Sequence, residues 1–174
     1  MFIAIGSQWW SGSYQTFWVD EWLRDGYINM RASTLPEKRI LVVDISESTL
    51  LRHPWPWPRE RIVTLVETLL AEGAAGVALD IVQEEPADKD GDLRMAVLAS
   101  HAPLVLAQLF DFSQQPRPLR TGHLIAGIPA DKPGKAAIAH GFIGSHAGLH
   151  NAAHAGNIGV ALDPDGTLRR IPMY

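Results

Sequence analysis

The chain has no cysteine among its 174 residues, which excludes disulfides and thiolate metal sites and suits either side of a bacterial membrane. Nor does it hold an apolar run near the roughly 20 residues that a membrane-spanning helix requires. The opening run from Phe2 to Ile5 is far shorter, and "MFIAIGSQWW" lacks the charged start and long apolar stretch of a secretory signal. Long blocks of one charge are missing too. With 15 Lys and Arg against 19 Asp and Glu, the net charge of -4 leaves no electrostatic footprint for nucleic acid and little for an anionic membrane surface. Several catalytic signatures are absent. "PGKAAIAHG" lacks both the first glycine and the hydroxyl of a phosphate-cradling loop, "GSHAG" around Ser145 is out of register for a nucleophile elbow, and no His-Glu-x-x-His occurs. What remains is 47% hydrophobic and 20% charged, a length and balance suited to one well-buried domain.

The most distinctive stretch is "HPWPWPRERI" at residues 53–62. Alternating prolines fix their own φ and push each preceding residue toward extended geometry, so they form a stiff arm that cannot be helix. Pro58 suits the first position of a helix, where its missing N–H costs nothing. Behind it Ile62, Leu65, Val66, Leu69 and Leu70 recur at helical spacing, and Gly73 supplies the stop. The spacing predicts a helix over 58–72, aimed by the arm, with the indoles packing on the core or walling a pocket.

On either side lie two compact β-branched runs, "RILVVDI" at 39–45 and "GVALDIV" at 76–82. Each suits a strand buried on both faces, and strand, helix, strand makes a right-handed βαβ unit. A helix is expected at 14–32, ended or bent at Gly26. Another is expected over 93–100 with Asp92 as N-cap, followed by a strand at 104–109. Late in the chain "DPDG" between two apolar runs fits a tight reversal between antiparallel strands. The expected fold is a single α/β domain with a mixed, largely parallel central sheet flanked by helices and a C-terminal β-hairpin. Residues 1–33 would form an aromatic, helical lead-in, and 34–174 the domain itself.

Asp44 and Asp80 stand where the two expected strands run out, the place where open α/β sheets bind ligands. Adjacent strands would bring the carboxylates close enough to share a cation, and a metal-dependent hydrolase is the corresponding enzyme reading; capping of the following turns is the plain alternative. "VVDISESTL" departs from the haloacid dehalogenase phosphatase motif, with Ser46 in place of the acid partner. His146, His150 and His154 fall at i, i+4, i+8 and, with His140, are weak candidates for zinc ligands. The glycines between them favour a loop over a helix.

Together "ILVVDISESTL", "PWPRERIVTLVETLLAEGAAGVALDIVQEEP" and "LDPDGTLRRIPMY" resemble the second type of CHASE domain, the cyclase- and histidine-kinase-associated sensory extracellular domains. The matching positions are Asp44 and Glu47, then Trp55 to Arg59, then Gly73, Ala74, Asp80 and Ile81. Asp163, Asp165, Gly166, Arg169, Arg170 and Pro172 close the pattern. Ser46 stands where the family usually has aspartate. The resemblance implies an extracytoplasmic ligand-binding sensor of a bacterial receptor of histidine kinase, nucleotide cyclase or Ser/Thr kinase type. It further implies that the output enzyme and the membrane segments lie outside this chain, which would be a fragment of a longer receptor. Asp44, Trp57, Arg59 and Asp80 are the expected ligand-binding residues, with Arg59 pairing with one or both acids. No cofactor and no nucleic acid are expected. The stimulus is an unknown small molecule or physical signal, and a homodimer or a structural spacer that sets dimer geometry also fits.

Overall fold

The computed structural model describes residues 15–33, 35, 37–127, 138–160, 162, 163 and 166–168. The chain divides into two compact units, Met1–Ile45 and Ser46–Tyr174.

In the first unit, α1 spans Gln15–Arg31 and runs through Gly26, which neither ends nor breaks it. Glu21 is buried and pairs with Arg24 at 3.2 Å, whereas Trp22, Leu23 and Tyr27 are exposed. The expected strand at 39–45 does not form: the backbone from Ile40 to Ser46 is irregular. Leu41 and Val42 are 81% and 82% exposed. β-branched residues favour extended backbone, but a strand exists only where a neighbour completes its ladder. Among the described residues this run has none, so the expected βαβ unit lacks its first strand.

The second unit contains α2 (Glu47–Arg52), α3 (Arg59–Ala71), β1 (Val77–Val82), α4 (Lys89–His101), β2 (Leu104–Asp111), β3 (Arg120–Thr121), β4 (Gly141–Ile143), a 3-10 turn (Ala147–Leu149) and β5 (His154–Asn157). Pro58 is the N-cap of α3 rather than its first helical residue, so the helix starts one place later than expected. The helix ends as its sequence predicts. Gly73 takes φ 99°, and Gly73 and Ala74 donate to the carbonyls of Leu70 and Leu69, which closes the last turn. Helix α4 begins four residues earlier than expected, with Asp88 rather than Asp92 as N-cap.

Five strands form one mixed, largely parallel sheet: β2 pairs parallel with β1 and β5 and antiparallel with β4, and β4 pairs parallel with β3. Its core lies on one face. Ile62, Val63 and Val66 of α3, Met95 and Ala99 of α4, Leu104 and Leu106 of β2, and Leu149 make one buried cluster. Val77 and Leu79 join it from β1, while the alternating Ala78 and Asp80 point to the opposite face and are exposed. Each fully buried aliphatic side chain here contributes about 1.5–3 kcal/mol. Buried Gln108 ties the segment after β3 to β2 by accepting from the Ile125 N–H at 3.2 Å. At "DPDG" the Gly166 N–H donates to the Asp163 carbonyl at 2.8 Å, but among the described residues no strand flanks it and the expected C-terminal β-hairpin is not seen. The apolar run after it lies mostly outside the described residues.

Candidate functional site

A helix that opens with proline has no side chain of its own to cap it, and α3 has no cap bond from Pro58. Its free N–H groups are met by Asp88, whose carboxylate accepts from the backbone N–H of both Arg59 and Glu60. The same carboxylate accepts from Gly91 N–H at 3.0 Å and so caps α4 as well. One acid therefore joins the starts of both core helices.

This junction fixes Arg59, which is 6% exposed. Its Nε donates to Asp92 Oδ1 at 2.9 Å, and a terminal nitrogen donates to the Glu85 carbonyl at 2.8 Å. Asp92 Oδ2 accepts from Ala87 N–H at 2.8 Å, so the carboxylate is held from two sides. Such a pair in a water-poor setting persists because its polar atoms find partners.

His146 approaches from the other side. Its backbone N–H donates to the Gln83 carbonyl at 2.8 Å, and its Nδ1 accepts from Gly148 N–H at 3.1 Å. With Nδ1 an acceptor, the neutral ring carries its proton on Nε2. Nε2 is buried with no hydrogen-bond partner, and Asp92 Oδ1 lies 3.7 Å away. A buried donor left unmade costs about 1–3 kcal/mol. Burial pushes the imidazole pKa below its ordinary value, Asp92 opposing the shift and Arg59 adding to it.

His146 and Asp92 line a cavity of about 310 Å³, together with Lys89. Its apolar walls are Pro86, Ala87, Leu93 and Ala96. Concave, mainly apolar space with a few convergent polar groups is the usual form of a small-molecule site.

Of the residues singled out in the sequence, Arg59 belongs to this cluster, but its carboxylate partner is Asp92. Asp80 lies inside β1, exposed, at the register shift between Leu79 and Val82. Asp44 is exposed in irregular backbone of the first unit. Neither acid sits at the end of a buried strand, so the hydrolase reading finds no support. Trp57 packs against the core, with Nε1 donating to the His53 carbonyl at 2.7 Å and the Arg61 guanidinium 5.5 Å from its ring. The histidines do not share a helix face. His146 caps the 3-10 turn, His150 is exposed with Nδ1 2.7 Å from the Ala147 carbonyl, and His154 opens β5. Among the described residues no group of three or more His, Cys, Asp or Glu is placed to hold a metal. The role of Asp88 had a signal in the sequence, since "ADKDGD" sets acids at i, i+2 and i+4 ahead of a helix. The meeting of His146 with Asp92 had none.

The CHASE2 domain family model matches residues 1–174, the full length given. The chain belongs to the CHASE2 family. No curated protein and no solved structure matches it. CHASE2 domains are extracellular sensory domains of signalling receptors, and the α/β fold expected from that likeness is the fold observed. No helix among the described residues of this CHASE2 chain is long and apolar enough to cross a membrane.

Proposed function

We propose that this chain is the extracytoplasmic, ligand-binding module of a bacterial transmembrane receptor with a histidine kinase, nucleotide cyclase or Ser/Thr kinase output. Its stimulus site is the cavity at the start of α4. The observation that carries this is the mainly apolar cavity lined by His146 and Asp92, whose carboxylate is already fixed by Arg59. A domain that only spaces two others has no use for such a cavity; a ligand that fills it better in one conformation than in another shifts the balance between them. The site abuts both α3 and α4 through Asp88, so occupancy has a direct route into the helix layer.

Ala96→Phe tests the proposal by filling the cavity from its wall. A full-length receptor carrying it is expected to keep its basal output and lose its stimulus-dependent change. An unaltered response in that variant overturns the assignment of the cavity.

A further inference from the structure

We propose that His146 is an acid-operated latch, which on taking a proton releases Gly148, closes on Asp92 and loosens the turn that carries Leu149 into the core. The latch belongs to this chain and needs nothing bound in the cavity; only its use as a signal rests on the receptor reading.

In the neutral ring Nδ1 has one bond, from the Gly148 N–H at 3.1 Å, and that bond caps the turn Ala147–Leu149. The fit is close. A Cβ at Gly148 would lie 2.8 Å from the imidazole Cε1 and 3.0 Å from Nδ1, so the turn admits the ring because this position is glycine. Leu149 is 1% exposed and shares the buried cluster with Met95 and Ala99 of α4, and the Ala153 N–H donates to the Ala99 carbonyl at 2.8 Å. The cap therefore holds one end of a segment whose other end is tied to α4. Among the described residues His146 is the one buried histidine, so it alone couples a proton to packing.

A proton enters the ring only at Nδ1, because Nε2 already carries one. There it faces the Gly148 N–H, donor against donor, and the cap is lost. The imidazolium has an anion within reach on its other side. Asp92 Oδ1 lies 3.7 Å from Nε2, about 0.9 Å beyond an ordinary hydrogen bond, so the charged ring gains by moving toward it and away from the turn. Around the ring α4 supplies Asp92 and Lys89, and α3 supplies Arg59, which already pairs with Asp92 at 2.9 Å. The segment after β1 supplies neutral Gln83, whose carbonyl takes the His146 N–H, and the exposed Glu84 and Glu85. On its own side the ring has the exposed His150 and, across the bridge to Ser145, the exposed His123. Burial and Arg59 hold the proton affinity below that of a free imidazole, against the pull of Asp92, so the latch is shut at neutral pH and opens on the acid side of 6.5.

The full chain is titrated from about pH 7.5 to about pH 4.5 while the ring nitrogens of His146, the Gly148 amide and the Leu149 methyls are followed by NMR. All three are expected to move with one midpoint below 6.5. Gly148→Ala, which crowds the ring off its cap, should raise that midpoint by about 0.7 on the pH scale, the worth of one hydrogen bond. His146→Asn keeps a capping oxygen and takes no proton, so Gly148 and Leu149 should stay unmoved over the same range. A ring that takes its proton while Gly148 and Leu149 stay still overturns the latch. So does a ring that remains neutral until the whole chain unfolds, or a midpoint that Gly148→Ala does not raise. If neither variant folds, the wild-type titration decides. In a full-length receptor the output should change across the same range and lose that change in His146→Asn; a titrating latch with an output indifferent to pH removes acid as the signal.

Discussion

Arg59 illustrates how far single residues were legible. A charged side chain just behind a rigid proline arm, at the first turn of an apolar helix, signalled a buried pair; its partner depended on how α4 meets α3, which no local pattern encodes. With side-chain exposures of 7% and 14%, the Arg59–Asp92 pair makes a sharp prediction. Arg59→Met leaves Asp92 buried without its counter-ion and should destabilise the fold by about 3–5 kcal/mol in urea denaturation. Arg59→Met combined with Asp92→Leu should recover much of that loss. Equal destabilisation by the single and double variants would refute the pairing. His146 adds a pH dependence. Its pKa is lowered in the folded chain from 6.5, so below about that pH the unfolded state binds a proton that the folded state refuses. Stability contributed by the neutral ring is present above 6.5 and lost as pH falls through the window down to the folded-state pKa. Urea midpoints between pH 7.5 and 5.5 should therefore fall more steeply in the wild type than in His146→Phe.

At the scale of elements α3 was read well because its signals are local, a proline lead-in and a glycine stop bounding it and apolar spacing marking its buried face, whereas the short α2 was not expected. The start of α4 was misplaced by four residues because Asp88, Asp90 and Asp92 are all plausible caps, and only the position of α3 selects Asp88. That selection has a measurable cost. Asp88→Ala removes the acceptor for Gly91, Arg59 and Glu60 N–H groups and should cost about 2 kcal/mol or more, since one helix cap alone is worth about 1. Comparable loss on replacing an exposed acid such as Asp90 would show that the double cap is immaterial. Gly91 has a different constraint. A Cβ there would meet Asp88 Oδ2, the Glu60 nitrogen and the Arg59 Cβ, so the closeness of α3 and α4 is why this helical position holds glycine. Gly91→Ala should lower the melting temperature despite alanine's helix preference of about 1 kcal/mol, because overpacking costs about 1–3.

For the molecule as a whole, composition and the alternation of apolar runs with helices gave the fold class, and β1 and β2 do pair in parallel. The order of strands was less accessible. Pairing is decided by partners distant in sequence, and "ILVVDI" shows that strong β preference without a ladder stays irregular. Hydrogen exchange gives the check: amides at 40–46 should exchange orders of magnitude faster than those of Val105–Ala107, which lie between the parallel neighbours β1 and β5. Similar protection in the two segments would contradict the irregular assignment. The junction at Asp88 has one more implication. Because a single carboxylate latches two helix starts, any displacement of the segment from Pro86 to Asp88 would load both rods together.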